Sequence, residues 1–499
     1  MDYPRRHAII DLGSNSVRMN IIGIGEADDH ILMDQAKEKV RLSEGMGDEL
    51  TIKVEPLQRL FATLDLFAQL NRVYQVRDVH CLATAAVRSA SNQADILKQI
   101  EEVSGFRFQV LSGEEEAELD YLGVINTMDL SDAVLIDLGG ASTEIILVRN
   151  RLKTEAISLP VGSVNLSERF HDERSVRHYL RGLLANIPWL DQAAGFEVIG
   201  LGGSIRTLAK VNRARQQWPL FSIHNYRMAI HDVHQVQAII RRLPENELVR
   251  VPGISSSRVD LLKRGLAPFD ELIDRIRPSH LRISTSGLRE GYFYRRYHQG
   301  RELPAVSRDV LEDALVNLER RYRLNHVHCR YVSDLSLRLF DLLGDDFQTD
   351  DRLLLEVAAR IHDIGMHVDY YSHHLHGFYL IIQSNLAGLS DEQLIQVALL
   401  VGYHRQKPVL FDLQPFVNII GTERFRRMKQ LSLFLSLAEQ LDRSESQKIR
   451  SIERHGDVLH FCLHSGQESS LEERAAQASL KEIEEKYRVH LTFGCDLSE

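Results

Sequence analysis

Two short segments of the sequence set a carboxylate just ahead of a glycine- and hydroxyl-rich turn. Residues 8–22 read AIIDLGSNSVRMNII and residues 134–148 read VLIDLGGASTEIILV, so Asp11 and Asp137 occupy equivalent places. Gly13, Ser14, Asn15 and Ser16 offer backbone N–H groups and side-chain hydroxyls that can converge on phosphate oxygens, and Gly139, Gly140, Ser142 and Thr143 can do the same. Asp11 and Asp137 stand where they can hold Mg²⁺ through water, because magnesium favours carboxylates and phosphate oxygens. A third glycine turn, Gly202-Gly203-Ser204, suits either anion contact or tight packing. Each segment taken alone is equally an ordinary hairpin. The repetition in one register favours a pair of loops that grip a phosphate chain from two sides.

The elements that position these loops follow from hydrophobic spacing. An apolar run, a glycine turn and a second apolar run predict a β-hairpin, and two copies predict a duplicated domain. Leu57, Leu60, Phe61, Leu64, Phe67 and Leu70 predict a helix over 54–70, and 79–83 a strand ending at Thr84. A helix begins near Glu114, with Ser112 as its N-cap. Residues 198–201 form a strand that leads into a helix over 205–211. From Val306 to Arg443 the pattern is helical; beyond Ser444, strands over 458–463 and 489–493 flank a helix over 471–487. The fold class expected is α/β in two duplicated halves, 1–125 and 126–300, then a helical domain, 301–445, and a small α+β domain, 446–499.

With 499 residues, 44% of them hydrophobic and 26% charged, the chain suits several folded domains and excludes a disordered, collagen-like or disulfide-stapled protein. A net charge of −10 argues against a stable nucleic-acid partner but leaves room for a local basic patch facing a polyanion. Cys81, Cys329, Cys462 and Cys495 form no CxxC pair, so neither a disulfide framework nor a zinc cluster is expected, and a reducing compartment is the default. Residues 1–7 are polar and no run is long enough to span a membrane, so a cytoplasmic location is expected.

In order, IDLGSNS, TAAVR, SGEEEAELDYLGV, IDLGGASTE, LPVGSVNLSERF, GLGGS and GLREG resemble the exopolyphosphatase/guanosine pentaphosphate phosphatase family over about the first 295 residues. That family has the actin/Hsp70/sugar-kinase fold. The resemblance implies that Glu116 is the catalytic base that activates water, whereas from sequence alone three glutamates also suit a helix N-terminus. It implies that Arg88 stabilises the transferred phosphoryl group, that Thr84 adds a hydroxyl, and that Glu144 is a second functional carboxylate acting through metal or water. Arg18 reaches the phosphates or the surface, and Arg258, in Ser257-Arg258-Val259-Asp260, resembles the family's Arg-Ala-Asp segment. The cofactor implied is Mg²⁺, with Mn²⁺ in its place; a homodimer is the implied assembly. Ala141 departs from the family's third glycine, which matters if that position needs positive φ.

In the helical part, His328, His362-Asp363 and Asp442 resemble the HD metal-dependent phosphohydrolase pattern, and His367, His373, His374, His376 and His404 could extend it to two metals. A structural or substrate-binding role for this domain stays open beside the metal role. Basic clusters at Arg320, Arg321, Arg323 and Arg330, at Arg405 and Lys407, and at Arg424, Arg426, Arg427 and Lys429 suit either solvated faces or a polyanion channel. The function expected is removal of the terminal phosphate of linear polyphosphate. The alternatives are guanosine pentaphosphate hydrolysis or dual activity, a kinase of the same fold, a non-catalytic protein that binds guanosine tetra- and pentaphosphate, and metal-dependent phosphohydrolysis by the helical domain.

Overall fold

The computed structural model describes residues 3–170, 172–407, 409 and 411–494; Cys495 and the last residues of the expected small domain lie outside the described residues. The chain forms two units, one from the residues up to Trp218 with Ser222–Val310, the other from Pro219–Phe221 with the residues from Leu311.

Aliphatic runs with little alternation build the centre of each sheet in the first unit, as strands covered on both faces require. β1 (Arg5–Leu12), β2 (Ser16–Ile24), β3 (His30–Lys39), β4 (Asp78–Ala83) and β5 (Phe108–Val110) lie in the order β3-β2-β1-β4-β5. The first three pair antiparallel, while β4 and β5 add in parallel. The second sheet contains β6 (Ala133–Leu138), β7 (Thr143–Arg149), β8 (Leu152–Leu159), β9 (Glu197–Leu201), β10 (Arg227–Ala229) and β11 (His280–Ile283). Its order, β10-β11-β9-β6-β7-β8, repeats the same pattern with one antiparallel edge strand added. The duplicated α/β architecture expected from the sequence is present.

Between the sheets' chain segments runs the helix Gly113–Ile125, capped by Ser112, whose hydroxyl accepts from Glu115 N while the Glu115 carboxylate accepts from Ser112 N. This capping box accounts for Glu115 among the three first-turn acids. Leu119, Tyr121, Leu122, Val124 and Ile125 are buried, so the helix is enclosed on nearly every side. It packs against the helix Leu288–Gln299 at very short range. A Cβ on Gly291 would come within 1.8 Å of Leu119 O, and one on Gly123 within 2.3 Å of Gly287 O. Those glycines let the two backbones touch and so hold Glu116 in the cleft that Arg289 and Glu290 also line.

The second unit is mainly helical, with His326–Leu343, Thr349–Ile361, His373–Gln383, Asp391–Tyr403 and Thr422–Leu441 around a core that includes Leu339, Leu355, Leu399 and Phe434. A tight turn of 3₁₀ helix, His362–His367, follows Ile361. Beyond it, β12 (Ile449–His455), β13 (Val458–Leu463) and β14 (His490–Gly494) form a three-stranded sheet, and Ser470–Tyr487 is a helix. Among the described residues no helix is long and apolar enough to cross a membrane.

Candidate active site

The two hairpin turns are the same structure twice. Leu12 pairs with Val17 and Leu138 with Thr143, and each turn is closed by a backbone hydrogen bond, Gly13 N to Ser16 O at 3.2 Å and Gly139 N to Ser142 O at 3.0 Å. They face each other closely, since a Cβ on Gly140 would lie 3.0 Å from Ser14 Cβ. Ala141 is not among the residues with positive φ, so alanine fits this loop without strain. Gly202 does need to be glycine: its φ is +80°, and a Cβ there would come 2.4 Å from Leu138 O and 2.9 Å from Asp137 Oδ1. Behind it Gly203 and Ser204 open the helix Gly203–Arg215.

These turns line one cleft. Gly13, Ser14, Asn15 and Ser16 come from the first hairpin, Gly139, Gly140 and Ser142 from the second, and Gly202, Gly203 and Ser204 from the third turn. Asp11, Asp137, Glu116, Thr84, Arg18 and Arg258 join them. Arg258 lies flat against Gly203, where a Cβ would overlap its guanidinium at 1.9 Å. Three expected residues sit outside this lining. Thr143 donates its hydroxyl to Val161 O at 2.6 Å and is fully buried. Glu144 accepts from Ser158 Oγ at 2.7 Å. Arg88 donates to Leu111 O at 2.9 Å and to Glu116 Oε2 at 2.8 Å, so its contact is with the glutamate.

Several carboxylates line the cleft. Burial pushes Glu116 up to about 7, against the hydrogen bond and charge of Arg88. Burial likewise raises Asp11, although Arg289 and Arg18 oppose it, and raises Asp137, although Arg206 and Arg18 oppose it. For Glu144, burial is reinforced by the nearby charges of Glu116 and Asp137. Cations stand among them: burial and the neighbouring Arg18 pull Arg206 down to about 10.

Four residues of the site went unassigned in the sequence. Asp120 is 1% exposed, neither of its carboxylate oxygens has a hydrogen-bond partner, and it lies just behind Gly287, where a Cβ would come 3.0 Å from its Oδ1. Burial raises it well above the usual carboxylate range, and Asp137, Glu144, Glu116 and Asp11 all push the same way. Its one signal in sequence is the i, i+4 spacing from Glu116, which puts both on one helix face. Arg206 lines the cleft and is anchored by donating to Ser284 O at 3.0 Å and Thr285 O at 3.1 Å. Arg289 is buried, with its Nη1 unpartnered. Glu290 accepts from Gly287 N at 2.9 Å and from Asn20 Nδ2 at 2.7 Å; although burial opposes it, Arg289 and the Gly287 amide hold it below the usual range. Both belong to GLREG, a motif whose individual roles need the fold to assign.

In the second unit, His328, His362 and Asp363 come together as a possible metal group. Asp442 reaches His328 from the other side, its Oδ2 2.8 Å from Nδ1. His373 and His404, with Glu439, form an adjacent group.

Residues 24–299 match the model of the Ppx/GppA phosphatase family, and residues 310–489 match that of Ppx/GppA phosphatase, domain III. Among solved structures, an exopolyphosphatase from Cytophaga hutchinsonii is 22% identical, covers 61% of this chain and 100% of its own, and superposes with a TM-score of 0.56. A Ppx/GppA family member from Aquifex aeolicus is 24% identical, covers 60% of this chain and 98% of its own, with a TM-score of 0.50. Those likenesses show a shared fold for the α/β unit, and the family match extends over both units. The duplicated phosphate-type loops thus stand in a chain that belongs to the Ppx/GppA phosphatase family and is a phosphoanhydride hydrolase.

Proposed function

We propose that the chain removes the terminal phosphate of linear inorganic polyphosphate by in-line attack of water. The observation that carries this reading is the cleft itself: three glycine turns, several guanidinium groups and a bank of carboxylates line one narrow space. Turn amides and hydroxyls suit successive phosphoryl groups, and arginines suit their charge. Water attacks the terminal phosphorus, the new P–O bond forms as the bridging P–O bond breaks, and the water's proton passes to Glu116. A carboxylate poised near neutrality is well matched to that task. Arg88 orients Glu116 through its 2.8 Å hydrogen bond. Arg18, Arg206 and Arg289 neutralise charge on the phosphoryl oxygens.

The carboxylates also fit a divalent cation. Asp120 has two buried oxygens with no partner, and Asp11, Asp137 and Glu144 are raised together by burial with too little positive charge beside them. Asp11, Asp137 and Asp120, with Glu144 through water, would hold Mg²⁺. When bound it would screen the phosphate oxygens and the leaving group.

The test is phosphate release by the purified protein, comparing long-chain polyphosphate with guanosine pentaphosphate at equal concentrations of chain ends, alongside Glu116→Gln. Release from polyphosphate that falls by about 10²–10⁴-fold in Glu116→Gln supports the reading. Preference for guanosine pentaphosphate moves the substrate to the nucleotide. Undiminished release by Glu116→Gln removes that residue from the base role.

A further inference from the structure

Where β1 and β4 begin, three side chains with metal-binding atoms stand together on one face of the first sheet. The two strands run parallel, with His7 beside Asp78 and Ile9 beside His80. Side chains alternate along a strand, so His7 and Ile9 share a face with Asp78 and His80. The same strands reach the cleft only at their far ends, through Asp11 and through Thr84 just beyond β4. At about 3.3 Å per residue the group therefore lies roughly 13–20 Å from the phosphate loops and takes no part in their chemistry.

Deeper in, this face is apolar: Ile9 and Leu82 pack with Leu288, Tyr292 and Phe293 of the helix Leu288–Gln299. At its outer edge the packing gives way to His7 and His80, both half-buried, and to the exposed Asp78. His7 Nδ1 is 3.3 Å from Asp78 Oδ2. His80 Nδ1 is 3.1 Å from Tyr292 Oη, while its Nε2 is buried and has no hydrogen-bond partner. One ligand atom from each of the three residues lies within 4.8 Å of the other two. Donors bonded to one ion at about 2.1 Å stand roughly 3.0–4.2 Å apart, so side-chain shifts of under about 1 Å bring all three onto one ion.

An ordinary ion pair would account for His7 and Asp78 but not for His80, which holds a buried ring nitrogen that nothing meets. With Tyr292 Oη accepting from Nδ1–H, His80 Nε2 carries a lone pair, and support behind one ring nitrogen is how metal-binding histidines are oriented. Burial and the charge of Arg296 hold both imidazoles below their usual pKa against the pull of Asp78, so both are neutral donors at pH 7. We propose that His7, Asp78 and His80 bind one divalent transition-metal ion, such as Zn²⁺, as a structural clip between β1 and β4. Two imidazoles and one carboxylate leave a fourth position for water, and this donor set favours Zn²⁺ over Mg²⁺. Through Tyr292 the ion also braces the helix that carries Arg289 and Glu290. The clip is independent of which phosphate chain the cleft accepts.

The test is Zn²⁺ binding by the full-length, chelator-stripped protein in excess Mg²⁺, which occupies oxygen-only sites. Bound zinc is counted by equilibrium dialysis and elemental analysis over a range of free Zn²⁺. The chain's other imidazole groups are the same in wild type and variants, so the difference in count reports this site alone. Asp78→Ala, His7→Gln and His80→Gln should each bind one equivalent fewer than wild type. Tyr292→Phe should keep that equivalent with an affinity about 10–100-fold weaker. Circular dichroism verifies each fold; Asp78 is exposed, so Asp78→Ala carries the test if a histidine variant unfolds. Equal zinc counts in wild type and folded Asp78→Ala overturn the proposal, as does a count that falls in Asp78→Ala but not in folded His7→Gln.

Discussion

Asp120→Asn is the substitution whose effects on stability and metal binding have opposite signs. The carboxylate is buried, neither oxygen has a partner, and four other carboxylates surround it. An unsatisfied buried polar group costs about 1–3 kcal/mol, and more when charged. The near-isosteric amide keeps the shape but removes the charge, so the metal-free protein should gain about 1–3 kcal/mol. At roughly 2 °C per kcal/mol for a unit of this size, Tm rises by about 2–6 °C. An acid whose folded pKa lies above its unfolded one loses stability as pH climbs from the unfolded value to the folded value. The gain from Asp120→Asn therefore grows from pH 4 upward, as the wild type's penalty builds. In Mg²⁺ the gain is offset: if the lost ligand weakens the ion about tenfold, the magnesium-induced stabilisation shrinks by about 1.4 kcal/mol. Scanning calorimetry across pH, in chelator and in saturating Mg²⁺, measures both. A lower Tm in chelator together with an undiminished magnesium shift would refute the reasoning.

Gly291→Ala should cost about 1–3 kcal/mol in urea denaturation, because its Cβ meets the Leu119 carbonyl rather than a yielding side chain. It should also lower kcat by displacing the helix that carries Glu116; an unchanged kcat would show that this packing does not set the site. Lys37, partly desolvated and crowded by Arg18, Arg258, Lys210 and Arg206, is held down to about 7. A bound polyanion restores its proton, so polyphosphate binding between pH 7 and 9 should take up protons in calorimetry run in buffers of different ionisation enthalpy, and Lys37→Met should reduce that uptake, most clearly near pH 8–9 where Glu116 is already ionised. Glu319→Gln removes one of two carboxylates from the buried Arg360, leaving Glu312, so the loss should be about 1.5–3 kcal/mol rather than that of an orphaned ion.

Much of this site could be read from local pattern, because the hairpins are local structures whose turn, register and carboxylate are all encoded within about fifteen residues. Thr143 shows where that reading stops. Its equivalent in the first copy is Val17, a core residue, and Thr143 follows the same strand geometry by turning to Val161 rather than the cleft. Arg88 was legible as a functional cation, but the recipient of its hydrogen bond, Glu116, depends on how two distant helices meet. Asp120 was hidden for a different reason: a helix enclosed on nearly all sides gives no amphipathic contrast against which one buried acid stands out. Arg206 and Arg289 acquire meaning only when β9, β11 and the helix Leu288–Gln299 bring their segments to the same cleft. In the helical unit, residue type and spacing pointed to metal chemistry, whereas the approach of Asp442 to His328 Nδ1 and of Glu439 to His404 Nε2 depends on how separate helices pack.

Two copies of one hairpin set face to face would treat a phosphate chain alike whichever end entered first. Position 18 and its counterpart 144 break that equivalence. Asp11 is paired across its hairpin with an arginine, and Asp137 with a glutamate. One half therefore carries a cation beside its loop, and the other a buried carboxyl behind its own, so the two halves of the cleft differ in charge. Linear polyphosphate, the proposed substrate, is chemically the same from both ends, and this asymmetry would supply the direction that such a chain lacks.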